Sequence, residues 1–175
     1  MNRQQYIERI NHIRSKPLLF SIVKACYYVV PYIIGALYVG VIALEWYRIV
    51  KGSEGYNNAI VIISGPALAL VIVSVYRKLV NAKRPYEIYE YEPLIAKNKA
   101  GESFPSRHTA SAFAIATACL VSSVWVGTVA YFLAAVVAYV RIAVGVHFTR
   151  DVAAGAVTGV GIVGAVWLFI SVILS

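Results

Sequence analysis

The chain has 175 residues, of which 60% are hydrophobic and 14% are charged, and its mean hydropathy is +0.71. A soluble domain carries about 45–50% apolar and about 25% charged residues. The composition excludes an ordinary soluble enzyme, and the length excludes separate cofactor and substrate domains. The formal charge of +8 does not indicate nucleic-acid binding, because many of the cations stand at the ends of apolar runs rather than on a solvated face. We predict one membrane domain over residues 1–175.

The N-terminal segment 1–16 places Tyr6, Ile10 and Ile13 at helical spacing among basic residues. This pattern is typical of an amphipathic helix that lies in the membrane interface. The apolar run after it begins too late and continues too far for a cleavable signal peptide. We therefore predict an N-terminal interfacial helix that remains part of the protein.

Five apolar runs follow, and a bilayer core of about 30 Å needs about 20 apolar residues in a helix. We predict an all-α, polytopic bundle of about five transmembrane helices. Pro31 interrupts the first run, which favours a single tilted or kinked helix. A tight turn makes the third and fourth spans a hairpin, and Gly155 and Gly159 in the fifth permit close helix packing. The predicted spans are Leu18–Leu44, Ala59–Tyr76, Thr109–Val124, Trp125–Tyr139 and Val152–Leu174.

Three polar clusters adjoin these spans, and five crossings place all three at one membrane face. Ionisable groups near a membrane are costly unless they are paired or hydrated, so such a concentration indicates a functional site. Guanidinium groups match the oxygens of phosphate, and few carboxylates are present to neutralise them. The clusters contain Arg77, Lys78 and Arg84, then Ser106, Arg107 and His108, and then Arg141, His147 and Asp151.

The two histidines in these clusters are candidates for phosphoryl-transfer chemistry. His147 and Asp151 are four residues apart, so on a helix the carboxylate could orient the imidazole as a nucleophile; a surface pair that caps the fifth helix is the alternative. His108 could protonate a leaving oxygen or be a polar residue at the start of a span. A zinc site is disfavoured because Arg107 and Arg141 would repel the cation. The pattern predicts phosphoryl transfer without a metal or other cofactor.

At these residues the sequence resembles the type 2 phosphatidic acid phosphatase superfamily of integral membrane lipid phosphatases. The family pattern is a basic residue before Arg-Pro, then Pro-Ser-Gly-His, then Ser-Arg followed by His and Asp. Three positions depart from it: Arg77 replaces the usual Lys, with Lys78 as the alternative, Arg107 replaces the Gly, and Val140 replaces the Ser. The resemblance covers about residues 59–174. The matching segments are Arg77 with Arg84-Pro85, Pro105-Ser106-Arg107-His108, and Arg141 with His147 and Asp151.

The resemblance implies that His147 attacks phosphorus to form a phosphohistidine, that Asp151 orients His147, and that His108 protonates the leaving alkoxide. It also implies a lipid phosphate monoester or pyrophosphate as substrate, such as phosphatidate, phosphatidylglycerophosphate or a polyprenyl pyrophosphate. The residues implied to hold the phosphoryl oxygens are Arg77 or Lys78, Arg84, Ser106, Arg107 and Arg141.

Two other functions are compatible with the same residues. A membrane transporter of phosphate or another anion would use the arginines, but it needs broken helices near the midplane, whereas these charges are at span ends. The second alternative function is a non-catalytic scaffold that binds lipid phosphates. The resemblance implies a cell-membrane protein whose site faces away from the cytoplasm, whereas the N-terminal cations on the same face favour the cytoplasmic side.

Overall fold

The computed structural model describes residues 1–53, 56–97 and 99–173, and the secondary structure of these residues is helical. The predicted end of the fifth span at Leu174 lies outside the described residues. The all-helical membrane bundle is confirmed. The helices are α1 (Arg3–Arg14), α2 (Pro17–Val50), α3 (Tyr56–Val80), α4 (Pro85–Tyr89), α5 (Arg107–Ser122), α6 (Val124–Ala143) and α7 (Thr149–Ile173).

Four segments of the described chain are long and apolar enough to cross a membrane: Pro17–Val50, Tyr56–Tyr89, Val124–Ala143 and Thr149–Ile173. The third predicted span, α5, has 16 residues and is about 24 Å long at 1.5 Å per residue, which is less than a bilayer core of about 30 Å. It packs centrally against α3, α6 and α7. A helix that is enclosed by its neighbours can be shorter than one that faces lipid.

The first predicted span is one continuous helix, α2, which contains Pro31 and has 34 residues. Proline lacks an N–H group, so the carbonyl of Tyr27, four residues earlier, loses its usual helical donor. Tyr27 and Pro31 both line a cavity beside the polar clusters.

Close packing between α5 and α7 depends on the two glycines that the sequence identifies. A Cβ atom on Gly155 would lie 2.6 Å from the carbonyl oxygen of Ser106, and one on Gly159 would overlap the carbonyl of Ala110. Any larger residue at either position would push the helices apart. The glycines therefore bring the start of α5, which carries the second polar cluster, against the start of α7, which carries Asp151.

The N-terminal helix α1 has the predicted amphipathic pattern, and Tyr6, Ile10 and Ile13 are buried. The burial is against protein: Ile10 and Ile13 belong to a core cluster with residues 140–146. The Tyr6 ring stacks on Tyr91 with a centroid distance of 5.5 Å. The apolar side of α1 thus covers the loop between α6 and α7, and its polar side remains exposed.

Candidate active site

The first and second polar clusters are joined by arginine side chains that donate to backbone carbonyls. Arg77 Nη1 donates to the carbonyl of Pro105 at 2.6 Å, and its Nη2 lies 4.0 Å from a carboxylate oxygen of Glu102. Arg84 Nε donates to the carbonyl of Gly101 at 3.0 Å. The end of α3 and the loop before α5 are therefore fixed to each other.

The third cluster is joined to both of the others. Arg84 Nη1 lies 3.5 Å from the carbonyl of Val146, in the loop before α7. The backbone N–H of Ser106 donates to the carbonyl of Asp151 at 2.8 Å. The three clusters, which the sequence places at one membrane face, thus form one site.

His147 lies at the centre of this site, and its side chain is buried. It precedes α7, which begins at Thr149, so the two residues do not share a helix and the spacing of four does not act through helical geometry. The turn nevertheless places His147 Nδ1 3.6 Å from Asp151 Oδ2. The same carboxylate oxygen accepts hydrogen bonds from the Ser103 hydroxyl at 2.5 Å and from the Phe148 N–H at 3.1 Å, which hold Asp151 in place.

The neighbours of His147 Nδ1 favour one protonation state. Ser103 donates its proton to Asp151, so its oxygen, 3.4 Å from Nδ1, is an acceptor, as is the carboxylate. These acceptors favour the proton on Nδ1 and leave Nε2 with a free lone pair. Burial, with a contribution from Arg84, lowers the pKa of His147 to about 4, and Asp151 opposes this shift. The imidazole is therefore neutral near pH 7, as a nucleophile must be.

Three arginines at this end of the bundle are buried, and two of them, Arg77 and Arg84, act electrostatically on His147. Arg77, Arg84 and Arg141 are exposed by only 5%, 2% and 3%. Arg141 Nε has no hydrogen-bond partner among the described residues. A buried donor without a partner costs about 1–3 kcal/mol, and buried cations require anions. The arrangement suits an anion with several oxygens, and phosphate has that chemistry.

The remaining predicted site residues differ in how deeply their side chains are buried. Ser106 is buried directly before α5, whereas Arg107 and His108 are exposed at its first turn. Arg107 and His108 line a cavity next to α2. Arg77 points inward and the adjacent Lys78 is exposed, so the structure brings Arg77 to the site and leaves Lys78 at its edge. In the described part of the chain, no group of three or more His, Cys, Asp or Glu side chains could hold a metal ion.

Sequence reasoning missed three residues beside this site. Ser103, which is fully buried, bridges His147 and Asp151, yet in the sequence it is one polar residue within a long polar connection. The one sequence signal for Ser103 was its position two residues before Pro105, where the second motif begins. Lys97 and Tyr27 contact each other across 70 positions, and no sequence pattern connects them.

The chain resembles known proteins in sequence and in fold. The family model described as PAP2 superfamily matches residues 58–173, and no curated protein sequence matches. The crystal structure of Aquifex aeolicus LpxE is 26% identical, with a TM-score of 0.65 over 93% of this chain and 94% of that one. The crystal structure of a PAP2 type phosphatidylglycerolphosphate phosphatase from Bacillus subtilis is 19% identical, with a TM-score of 0.49 over 97% of this chain and 94% of that one. Because the family model covers all three clusters, the chain belongs to the PAP2 superfamily and is a type 2 membrane phosphatase.

Proposed function

We propose that this protein hydrolyses a phosphate monoester or pyrophosphate carried by a membrane lipid, through a phosphohistidine at His147. The observation that carries the proposal is the buried imidazole of His147, positioned by Asp151, in a site that also buries three arginines. A phosphoryl group would supply the negative charge that this site lacks, and its phosphorus would lie within reach of Nε2.

The reaction has two steps. In the free protein, desolvation by the surrounding residues and the nearby Arg141 lower the pKa of His108 to about 3, so His108 would take up its proton together with the anionic substrate. In the first step, the Nε2 lone pair of His147 attacks phosphorus, the bond from phosphorus to the lipid oxygen breaks, and the protonated His108 gives its proton to that oxygen. In the second, His108 accepts a proton from water, the water oxygen attacks phosphorus, and the phosphorus–nitrogen bond breaks. Inorganic phosphate leaves, and both histidines return to their starting states.

The transferred phosphoryl group would be held by Arg77, Arg84 and Arg141, together with the start of α5. The first N–H groups of a helix have no helical acceptor and carry partial positive charge, so they bind phosphate oxygens well. In α5 these groups directly follow Ser106, whose hydroxyl accepts a hydrogen bond from Thr109 at 3.0 Å. This assignment includes the backbone of Arg107 and does not need its exposed side chain.

A lipid substrate is supported by a cavity of about 110 Å³ between α2, α5 and α6. His108 lies at one part of its wall, and the remainder is mostly apolar, with Ile34, Ile115 and Val137 among its residues. A hydrocarbon chain in this cavity would place its attached ester oxygen beside His108. A soluble phosphate ester would gain nothing from such a wall.

The test uses the purified full chain in detergent with a chelator present. We expect release of inorganic phosphate from at least one of phosphatidate, phosphatidylglycerophosphate and a polyprenyl pyrophosphate. Acid-labile phosphate should be trapped on His147, and the variant His12→Ala, which changes an exposed histidine on α1, should behave as wild type. A transporter or a binding scaffold would release no phosphate, and a His147→Ala variant with normal turnover would overturn the mechanism.

For the membrane orientation, we propose that the site faces away from the cytoplasm of the cell membrane. The family resemblance supports this side, and the opposing charge bias is weakened because the motif arginines serve the substrate. N-terminal cations are also engaged locally: Arg3 donates to the carbonyl of Tyr89, and Arg14 pairs with Glu92 at 3.8 Å. Ala100→Cys, in a chain without Cys26 and Cys119, should react with an impermeant thiol reagent in intact cells. Labelling only after lysis would reverse the orientation.

A further inference from the structure

A lysine outside the three clusters reaches the site from the connection between α4 and α5. Lys97 is half-buried, and its Nζ donates to the hydroxyl of Tyr27, on α2, at 3.4 Å. The guanidinium carbon of Arg141 lies 4.2 Å from the centroid of the same tyrosine ring. One aromatic side chain thus holds two cations, one at its hydroxyl and one on its face.

These residues line a cavity of about 410 Å³, which we call the α2 cavity. None of its lining residues is acidic, and Lys97 has no ion pair among the described residues. Burial, together with Arg84 and Arg141, lowers the pKa of Lys97 to about 8. The α2 cavity therefore has uncompensated positive charge and favours an anion. Its lining residues are Tyr27, Tyr28, Pro31, Tyr32, Lys97, His108 and Arg141.

The position of His108 shows which part of a substrate would occupy the α2 cavity. His108 lines both this cavity and the mostly apolar cavity between α2, α5 and α6. In the proposed reaction His108 faces the leaving oxygen. Of the three arginines proposed to hold the transferred phosphoryl group, Arg77 and Arg84 line neither cavity, and Arg141 reaches the α2 cavity where its guanidinium packs on Tyr27. A group near Lys97 therefore belongs to the leaving part of the substrate. The cavity is accessible at Tyr32, which lines it and is 78% exposed.

We propose that Lys97, positioned by Tyr27, binds an anionic group on the leaving part of the lipid substrate and so determines substrate preference. The inference rests on the proposed function. Two kinds of lipid supply such an anion: the inner phosphate of a lipid diphosphate and the phosphodiester of a phosphorylated glycerophospholipid. The leaving part of phosphatidate is an uncharged diacylglycerol, which makes no ion pair with Lys97. With a diphosphate, the bond from the outer phosphorus to the bridging oxygen breaks, and the lipid monophosphate leaves with that oxygen.

The experiment compares kcat/KM of the full-length enzyme for a polyprenyl diphosphate, phosphatidylglycerophosphate and phosphatidate. A hydrogen bond to a charged group contributes about 1.5–3 kcal/mol, so Lys97→Gln should lose about tenfold or more on a substrate with an anionic leaving part. It should lose less than about twofold on phosphatidate, which also shows that the variant is folded. Lys97→Arg should recover most of the loss. Lys83→Gln, an exposed lysine before Arg84, is the matched control and should leave the preference unchanged.

The two lipids with anionic leaving parts separate the sources of the charge. If Lys97→Gln loses kcat/KM on the polyprenyl diphosphate alone, the α2 cavity binds the inner phosphate of a diphosphate. If it loses kcat/KM on both lipids, the cavity accepts either anion. Equal losses on all three lipids, or no loss on any of them with an active wild type, would overturn the role of Lys97. A wild type that releases phosphate from none of them would instead overturn the proposed function, so the two failures are distinguishable.

Discussion

The two ends of the helical bundle bury charge in opposite ways. At the site end, Arg77, Arg84 and Arg141 are buried together and exceed the carboxylates around them. At the other end, the buried carboxylate of Glu45 accepts hydrogen bonds from Arg48 at 2.8 Å and from Ser122 at 2.5 Å. Along α2, Tyr27 and Glu45 are 18 residues apart, which corresponds to about 27 Å.

This difference in buried charge distinguishes a ligand site from a structural contact. The Glu45 carboxylate has its counter-ion within the protein, and its hydrogen bond to Ser122 attaches α2 to the α5–α6 hairpin. The arginines at the site end have too few internal counter-ions, so the missing charge must come from a ligand. Substitutions at the site end should therefore reduce activity, and substitutions around Glu45 should reduce stability.

The largest expected effect on activity is at His147, the proposed nucleophile. His147→Ala should lower kcat by about 10⁴-fold or more, because no group remains to accept the phosphoryl group. Asp151→Asn should cause a smaller loss, because the imidazole remains but its orienting charge is removed. Steady-state release of phosphate measures both. An unchanged thermal midpoint in detergent would show that the variants are folded, and a His147→Ala enzyme with near-normal kcat would contradict the assignment.

The next effect concerns His108 and depends on the leaving group. A positioned general acid contributes about 10²–10⁴-fold, and most when the leaving oxygen is strongly basic. His108→Ala should therefore lose this factor on a lipid monoester and much less on p-nitrophenyl phosphate. The ratio of kcat/KM for the two substrates is the measurement. Equal losses would mean that His108 binds phosphate rather than donating a proton.

A smaller effect distinguishes two adjacent cations at the end of α3. Arg77→Ala should lower kcat/KM by about 10²–10³-fold, since it removes a buried charge that is proposed to hold the transferred phosphoryl group. Lys78→Ala should lose far less, because the Lys78 side chain is exposed. Parallel assays of the two variants on one lipid substrate provide the comparison. The reverse ranking would assign the first motif position to Lys78.

The contribution of Lys97 should depend on pH. Its pKa of about 8 means that it is charged at pH 7 and mostly neutral at pH 9, and kcat/KM reports the free enzyme. The advantage of wild type over Lys97→Gln on a lipid diphosphate should be half lost near pH 8. Because wild type and Lys97→Gln are compared on the same lipid diphosphate, the titration of the substrate affects both equally and cancels. A ratio of their kcat/KM values that stays constant up to pH 9 would contradict this role of Lys97. The titratable and charged groups that face Lys97 are Tyr27, Tyr28, Tyr32, Arg77, Arg84, Lys99, His108 and Arg141.

The smallest effect on activity is expected at the opposite end of the bundle. Glu45→Ala should lower the free energy of unfolding by about 1.5–3 kcal/mol, the contribution of a hydrogen bond to a charged group. It should leave kcat/KM within about twofold of wild type. Thermal unfolding in detergent and phosphate release from the same preparation test both statements. A tenfold loss of activity without a loss of stability would remove the contrast between the two ends.

Much of the fold could be predicted because the relevant signals are local. The length of each apolar run is set by the thickness of the bilayer, and the helical bundle and the membrane class followed from it. Gly155 and Gly159 were recognisable because their spacing places them on one helix face. The site residues were nominated by motif spacing, and their roles remain predictions for the variants above.

The sequence by itself determined the membrane class, the helical bundle, the family and the residues of the three clusters, because each depends on composition or on spacing within short segments. Only the tertiary structure decided that α1 covers the loop between α6 and α7, that Ser103 bridges His147 and Asp151, and that Lys97 contacts Tyr27. These contacts join segments that are distant in the chain. Side-chain direction and helix packing set such distances, and no periodic pattern in the sequence records them.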